Sequence, residues 1–385
     1  MISSRVEQLS SSATLKITAL TKKLKKEGKD VVNFAAGEPD FDTPLFIKEK
    51  AKKAIDDGLT KYTPSAGTNE LREAIARKLK EENLIPCESS NIIVTTGAKY
   101  AIFAAIITLV DRKEEVLIPS PYWVSYPEMV TLCGAKYKII KTKQRDGFKL
   151  TPEALDKAIT KKTKLLILNY PSNPTGISYN ENELKEIYKI VKSKGIMVLS
   201  DEIYEVLTYD GNKHISFASI EDAFKFTVTI NGFSKSFSMT GWRLGYLAAH
   251  QDLIGAISKV IDHTTSCASS ISQAAALSAI QDKAWPLQMK KEFESRRNML
   301  YDGLKSFKKC KPLKPSGTFY MFCDIRKSGL SSQEFSSQLL DKYLVSTIPA
   351  ESFGAEGFVR LSFAASSEDI NKGIGRIKSF LEELK

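Results

Sequence analysis

Apolar strands alternate with amphipathic helices through the middle of the chain, between about residues 90 and 280. The predicted strands are residues 91–96, 115–119, 136–141, 164–169, 197–200 and 226–230. The predicted helices include residues 99–109, a helix from about residue 152, and residues 182–193, where apolar residues recur at helical spacing. Continuous apolar strands that alternate with helices predict an α/β fold, with a mostly parallel sheet covered on both faces.

The C-terminal part of the chain has a different pattern. Helical patterns at residues 289–307, 332–343 and 370–384 flank short strand-like runs at residues 318–323 and 359–363. This order predicts an α+β unit. Because 385 residues are more than one core usually supports, we expect two domains.

The chain carries a net charge of +11, from 56 basic and 45 acidic residues. Such an excess suits nucleic-acid binding, steering of anionic small molecules, or a lysine-rich surface with no further meaning. The basic residues are dispersed, and aromatic residues do not interleave them as they do in a nucleic-acid groove. We therefore expect no nucleic-acid partner.

The cysteines are odd in number, widely spaced and without a CxxC pair, and the histidines are scattered. Neither a disulfide framework nor a metal site is therefore expected. The amino-terminal residues lack the apolar segment of a secretory signal. The longest apolar run, residues 101–110, is too short to cross a membrane and suits a buried helix. We expect a cytoplasmic protein in a reducing compartment, with no membrane partner.

Unusual residues follow the predicted strands, at the edge of the sheet where ligands bind in open α/β folds. Gly97 and Ala98 follow the first strand and open a helix, so their backbone N–H groups can form an anion site; a plain turn is the alternative. Trp123 follows the second strand. Its face can stack on an aromatic ring, and packing in the core is the alternative.

Two polar groups follow the next strands. Asn173 precedes a proline and is therefore held extended, with its amide able to face a ligand oxygen; the alternative is a plain turn. Asp201 ends an apolar strand, with Tyr204 one helical turn beyond it. A buried carboxylate is costly unless it meets a cation or donors, and a protonated pyridine nitrogen would serve. A helix N-cap is the alternative role for Asp201.

Lys235 and Arg243 follow the last predicted strand. Lys235 lies among small and hydroxyl residues, where poor solvation favours the neutral amine, a nucleophile toward an aldehyde. Arg243 can grip a phosphate in a fork. Alone, the two could be a surface lysine and a salt-bridged arginine. With the groups at the other strand ends, they indicate a ligand with an aldehyde, a phosphate and a pyridine ring, which describes pyridoxal phosphate.

Six segments form a pattern that is specific in combination. They are residues 36–41 (AGEPDF), 61–64 (KYTP), 120–127 (SPYWVSYP), 173–176 (NPTG), 200–204 (SDEIY) and 231–246 (NGFSKSFSMTGWRLGY). In these segments the chain resembles the class I aminotransferases, the fold type I pyridoxal-phosphate enzymes, and among them the bacterial aspartate aminotransferases. The resemblance covers nearly the whole chain. It implies a large cofactor-binding domain with a seven-stranded sheet, residues 46–282, and a smaller α+β domain built from both chain ends, residues 1–45 and 283–385.

The resemblance also implies a role for each matching residue. Lys235 would bind the cofactor covalently and then act as acid and base in the 1,3-proton shift. The residues implied at the cofactor ring are Asp201 at the pyridine nitrogen, Tyr204 and Asn173 at the ring oxygen, and Trp123 stacked on the ring. The residues implied at the phosphate are Arg243, the backbone of Gly97, Ala98 and Lys99, and Tyr62 acting in the other subunit of a homodimer. Gly37 would close over the substrate, and Arg360 would bind its α-carboxylate in a fork, unless Arg360 is a surface residue on a strand.

The chain departs from the family pattern near the phosphate. Many relatives have a serine three positions before the lysine as a phosphate ligand, where this chain has Gly232. Ser234 or backbone groups would then compensate. Relatives that also use prephenate often carry a lysine shortly before the Ser-Ala-Thr run, where this chain has Ser10 and Ser11.

Lys99 matches the lysine that relatives acting on dicarboxylates use for the distal carboxylate; a solvent-facing helix lysine is the alternative. The resemblance therefore implies transfer of the amino group of L-aspartate to 2-oxoglutarate, giving oxaloacetate and L-glutamate. The alternatives are transamination of aromatic amino acids, alanine or prephenate, and a carbon–sulfur lyase. A non-enzymatic regulator would need an added DNA-binding module, for which residues 1–30 are too short.

Overall fold

The computed structural model of the chain describes residues 2–10 and 13–384. Among these residues the strands are β1 (Val32–Asn33), β2 (Ile92–Thr95), β3 (Glu115–Ser120), β4 (Lys136–Lys141), β5 (Thr163–Asn169), β6 (Met197–Asp201), β7 (Thr227–Gly232), β8 (Gly245–Ala249), β9 (Lys311–Leu313), β10 (Tyr320–Asp324), β11 (Val345–Ser346), β12 (Ile348–Pro349) and β13 (Phe358–Ser362). The helices are α1 (Ser4–Glu7), α2 (Ala13–Lys26), α3 (Leu45–Asp56), α4 (Asn69–Glu82), α5 (Ala98–Leu109), α6 (Ser125–Leu132), α7 (Pro152–Ala158), α8 (Glu181–Lys194), α9 (Gln251–Asp262), α10 (Ser270–Gln281), α11 (Ala284–Leu304), α12 (Ser332–Tyr343) and α13 (Ser367–Glu383).

The large sheet has seven strands in the order β2-β8-β7-β6-β5-β3-β4. The neighbours from β7 to β4 pair in parallel, whereas β8 runs antiparallel to both β7 and β2. The predicted α/β class with a mostly parallel sheet is confirmed. The sequence did not indicate β8, because its run of glycine, tyrosine, leucine and two alanines has a weak strand preference.

The apolar strands are buried on both faces, as their continuous runs predict. In β5, Leu165 and Ile167 pack into a core with α5, α6 and α9, whereas Leu166 and Leu168 pack on the opposite face with α7 and α8. Helices therefore cover both faces of the sheet and leave the carboxyl ends of its parallel strands free to form a site.

A second, antiparallel sheet has the order β12-β13-β10-β9. The short strand β1, near the amino terminus, pairs in parallel with β11. Phe34 beside β1 lies in the same core as Phe319 and Phe363. The pairing supports a small domain built from both chain ends, and the division after residues 45 and 282 stays a proposal. None of the described helices is both long and apolar enough to cross a membrane.

Candidate active site

A cavity of about 410 Å³ opens at the carboxyl ends of the parallel strands and reaches the second sheet. Eleven of the residues named from the sequence line it: Gly37, Ala98, Lys99, Trp123, Asn173, Asp201, Tyr204, Ser234, Lys235, Arg243 and Arg360. Gly97 lies directly behind this lining, and Tyr62 is 92% exposed on the surface of the chain. The strand-end residues thus meet in one place, although β8 lies between β2 and β7 in the sheet.

Lys235 lies in the loop after β7 and points into the cavity. Its Nζ donates a hydrogen bond to the Gly37 carbonyl oxygen at 2.6 Å and lies 5.9 Å from the centre of the Tyr204 ring. Burial lowers the pKa of Lys235 to about 8, while the Glu38 carboxylate opposes this effect and Arg360 adds to it. Roughly one-tenth of the amine is therefore neutral, and nucleophilic, at pH 7, a far larger fraction than for an ordinary lysine.

Asp201 ends β6 and is only 4% exposed. One oxygen accepts a hydrogen bond from Tyr126 Oη at 2.5 Å, and the other accepts one from the Ile203 backbone N–H at 3.3 Å. Burial raises the pKa of Asp201 to about 6, and these two donors limit the rise. No helix begins at Asp201 in the described structure, so the N-cap alternative is wrong.

Glu202, the residue after Asp201, is held in place by hydrogen bonds from neighbouring residues. Glu202 Oε1 accepts hydrogen bonds from Ser200 Oγ at 2.7 Å, Ser216 Oγ at 2.9 Å and the Phe217 N–H at 3.2 Å. Its Oε2 lies 2.9 Å from His214 Nε2. Since these contacts surround a fully buried side chain, they hold the end of β6, and Asp201 with it, in a single position.

Arg243 and the first turn of α5 form one concave surface. A Cβ added to Gly97 would lie 2.5 Å from Arg243 Nη2, and Gly97 has a φ of 87°, which side chains rarely adopt. Glycine therefore lets the guanidinium lie against the N-terminus of α5, where backbone N–H groups are free to bind an anion.

The close packing of β8 against β7 explains why residue 232 is a glycine. A Cβ at this position would lie 2.8 Å from Gly245 Cα and 3.1 Å from the Leu244 carbonyl oxygen. Gly245 in turn packs against the Ala98 backbone nitrogen. A serine at 232 would push β7 and β8 apart, so the buried Ser234, which lines the cavity, is the hydroxyl available to a phosphate.

Arg360 is on β13 and is 3% exposed, so the surface-residue alternative is wrong. Its Nη1 donates to Asn173 Oδ1 at 2.8 Å, and its Nη2 donates to the Ala35 carbonyl oxygen at 3.3 Å. Its Nε is buried without a partner among the described residues. A buried guanidinium with an unused donor is ready to bind a carboxylate.

Lys99 and Trp123 lie next to each other on the cavity wall. Lys99 Nζ is 4.9 Å from the centre of the Trp123 ring, a cation–π contact. Burial lowers the pKa of Lys99, and the nearby Arg243 adds to this. Trp123 also packs edge-on against Tyr126. Lys99 therefore lines the cavity, while its side chain also stays exposed to solvent.

Several lining residues were not identified from the sequence as functional. Tyr126 and Glu38 lie inside the segments 120–127 and 36–41 that carried the resemblance, so their position was a usable signal. Tyr320, whose Oη lies 3.0 Å from that of Tyr204, and Lys22 of α2 gave no such signal. Of Ser10 and Ser11, the two positions that bear on prephenate, Ser11 lies outside the described residues.

The sequence pattern of the aminotransferase class I and II family matches residues 29–377. The aspartate aminotransferase of Bacillus subtilis (strain 168) is 43% identical over 389 residues, covering 99% of each chain. The aromatic-amino-acid aminotransferase 2 of Thermococcus litoralis is 40% identical over 390 residues, covering 100% of this chain and 99% of its own.

A solved structure superimposes on nearly the whole chain. The aspartate aminotransferase of Thermus thermophilus with maleate superimposes with a TM-score of 0.95 at 38% identity, covering 98% of this chain and 99% of the other. Both the sequence pattern and the complete fold are thus shared with aminotransferases. The chain belongs to the class I and II aminotransferase family.

Proposed function

We propose that this protein is an aspartate aminotransferase, which transfers the amino group of L-aspartate to 2-oxoglutarate and gives oxaloacetate and L-glutamate. The observation that carries the proposal is one cavity that holds a reactive lysine, Lys235, with two cationic groups, Arg360 and Lys99, that suit the two carboxylates of the substrate. The names of several relatives support it.

The residues of the site fit pyridoxal phosphate. Asp201 is a buried carboxylate that lines the cavity and has no ion-pair partner among the described residues. The protonated ring nitrogen of the cofactor would form an ion pair with it. Arg243, Ser234 and the N-terminus of α5 suit the phosphate. When bound, pyridoxal phosphate supplies an electron sink next to the α-carbon of the amino acid.

The remaining ring contacts come from three side chains on the cavity wall. Tyr204 Oη and the Asn173 amide would hydrogen-bond the ring oxygen, because Arg360 already occupies Asn173 Oδ1 and leaves the Nδ2 donors. Trp123 would stack on the ring. The backbone of Gly97, Ala98 and Lys99 would donate to the phosphate.

Lys235 carries the reaction through its Nζ. With its pKa lowered to about 8, this amine gives up its proton readily, so Nζ would be the group that joins the cofactor aldehyde, with release of water, and that carries a proton from the α-carbon. The Gly37 carbonyl oxygen, 2.6 Å from Nζ, holds the amine at the substrate side of the cavity. Gly37 would then cover the bound substrate.

The substrate is oriented by its two carboxylates. Arg360 would bind the α-carboxylate, with Asn173 and Ala35 fixing the plane of the guanidinium. Lys99 would bind the distal carboxylate. Amino acids and oxo acids that carry a second carboxylate are therefore the substrates that this arrangement selects.

We further propose a homodimer in which Tyr62 reaches the phosphate of the other subunit. The support is two exposed apolar side chains shortly before Tyr62 in the sequence: Ile55 is 53% and Leu59 50% exposed. Exposed apolar surface is typical of protein contacts. The cytoplasmic location stays a prediction.

The test is a product assay with the cofactor-loaded protein. L-Aspartate and 2-oxoglutarate should give oxaloacetate and L-glutamate in equal amounts, with no turnover when either is omitted. Pyruvate and ammonia formed without an oxo acid would instead show a lyase. Faster turnover of an aromatic amino acid or alanine than of aspartate would contradict the proposed specificity.

A further inference from the structure

Tyr320 lines the cavity, but the proposed reaction gives it no role. It begins β10 and is 1% exposed. Its Oη lies 3.0 Å from Tyr204 Oη, and its ring centre lies 4.1 Å from the guanidinium carbon of Arg360. One buried side chain therefore contacts both a residue proposed for the cofactor ring and the residue proposed for the α-carboxylate of the substrate.

The position of the Tyr320 ring follows from the pairing of two strands. β10 and β13 are antiparallel neighbours in which Phe322 lies directly opposite Arg360. Tyr320, two residues before Phe322, is therefore on the same face of the sheet as Arg360 and diagonal to it. There the ring adds a cation–π attraction to the two hydrogen bonds, to Asn173 and Ala35, that hold the guanidinium.

The Tyr320 hydroxyl has one hydrogen-bond partner in the described part of the chain, the hydroxyl of Tyr204. Burial raises the pKa of both tyrosines, so each hydroxyl keeps its one proton at neutral pH. If Tyr204 donates its proton to the ring oxygen of the cofactor, its own oxygen can still accept from Tyr320. Because a hydroxyl that accepts a hydrogen bond becomes a stronger donor, Tyr320 would strengthen the contact from Tyr204 to the ring oxygen.

We propose that Tyr320 is a positioning residue, whose ring holds Arg360 for the α-carboxylate and whose hydroxyl strengthens the hydrogen bond from Tyr204 to the cofactor. This inference rests on the proposed aspartate aminotransferase function and adds a residue to its site. The ring acts on the substrate and the hydroxyl acts on the cofactor. Variants that remove the hydroxyl alone, or the ring with it, therefore separate the two effects.

The first readout is the pH midpoint of the change in cofactor absorbance, measured on cofactor-loaded Tyr320→Phe and Tyr320→Leu. A hydrogen bond to the anionic form of the ring oxygen favours that form. Both variants lack the hydroxyl, so both should raise the midpoint by roughly 0.2 to 0.5 pH units, the share of a charge-assisted hydrogen bond that a second hydroxyl adds.

The second readout is binding of the unreactive dicarboxylate succinate, followed by the same absorbance at a pH below the midpoint of every variant. Tyr320→Phe keeps the ring beside Arg360 and should bind succinate within about twofold of the unaltered protein. Tyr320→Leu loses the cation–π contact and should bind succinate about threefold to thirtyfold more weakly.

Tyr209 provides the matched control. It is a buried tyrosine of the same core, its ring centre lies 4.8 Å from the guanidinium carbon of Arg297, and its hydroxyl donates to the Thr318 carbonyl oxygen. It is not among the described residues that line the cavity. Tyr209→Phe and Tyr209→Leu should therefore change neither the pH midpoint nor the binding of succinate.

An unchanged pH midpoint in Tyr320→Phe, or unchanged succinate binding in Tyr320→Leu, would overturn the inference. Equal changes in the Tyr209 variants would mean a general effect on the core and would overturn it as well. Formation of oxaloacetate from L-aspartate and 2-oxoglutarate by the unaltered protein tests the proposed function separately, so the two failures are distinguishable.

Discussion

The hydrogen bond from Tyr126 to Asp201 should decide whether Asp201 is an anion at neutral pH. Tyr126 Oη and Asp201 Oδ2 are 2.5 Å apart, and both side chains are buried. Tyr126→Phe removes this donor and leaves the Ile203 N–H as the remaining hydrogen-bond donor to the carboxylate among the described residues. The variant keeps the ring, so its packing against Trp123 stays intact.

The size of the effect follows from the kind of hydrogen bond. A buried hydrogen bond to a charged group contributes about 1.5–3 kcal/mol, and one pH unit in a pKa corresponds to about 1.4 kcal/mol. The pKa of Asp201, about 6 in the unaltered protein, should therefore rise by roughly one to two pH units in Tyr126→Phe.

The direction in which folding shifts the pKa of Asp201 determines how the stability of the protein depends on pH. Because folding raises the pKa of Asp201 above its ordinary value of 3.8, the protonated form favours the folded state. This contribution to stability is full below about pH 4 and is lost as the pH rises through about 6. In Tyr126→Phe the loss continues to a higher pH, so the variant should be most destabilised in alkaline solution.

The assay is urea unfolding of the cofactor-free protein at pH 5 and pH 8.5, at one protein concentration. Tyr126→Phe should lower the free energy of unfolding by about 1.5–3 kcal/mol at pH 8.5, and by about 1 kcal/mol at pH 5, where Asp201 is mostly protonated. Tyr179→Phe is the control, since the buried Tyr179 Oη accepts from the neutral Leu150 N–H at 2.8 Å. Equal losses for Tyr126→Phe at the two pH values would refute the reasoning.

Three further predictions concern the ligand contacts. Gly97→Ala should weaken pyridoxal phosphate binding about tenfold or more in a fluorescence titration, because backbone strain of about 1–3 kcal/mol and a displaced Arg243 act together; unaltered affinity would be inconsistent with the phosphate site. Lys99→Ala should lower kcat/KM for aspartate about 10- to 100-fold with the cofactor retained, and normal aspartate kinetics would remove Lys99 from the substrate site. Arg360→Lys should lower kcat/KM by a similar factor for all amino acids, measured with aspartate and alanine, and a loss confined to aspartate would contradict α-carboxylate binding.

The sequence predicted the sheet and most of the site for a common physical reason. Apolar runs long enough to be buried on both faces have few alternatives to parallel strands, and their carboxyl ends must share an edge. Polar residues directly after such runs, such as Asp201 and Lys235, are therefore brought together by the fold itself.

Features that depend on contacts across the chain could not be predicted in this way. Arg360 and Asn173 are far apart in sequence, and the fold joins them by bringing β13 next to the loop that follows β5. The close approach of Gly232 to Gly245 likewise requires β8, whose small residues resemble a loop. Lys22 could not be recognised as a cavity residue, since an exposed helix lysine usually faces solvent.

The most direct test of the account is the half-reaction at Lys235. Purified, cofactor-loaded protein is mixed with L-aspartate without any oxo acid, and the absorbance of the cofactor is recorded alongside that of Lys235→Ala. The account predicts that the unaltered protein converts its cofactor from the aldehyde to the amine form, with one oxaloacetate released per site. Lys235→Ala should retain the cofactor noncovalently through Asp201 and Arg243 but show no conversion. An unaltered protein that gives no spectral change with aspartate, or a Lys235→Ala variant that turns over at the normal rate, would contradict it.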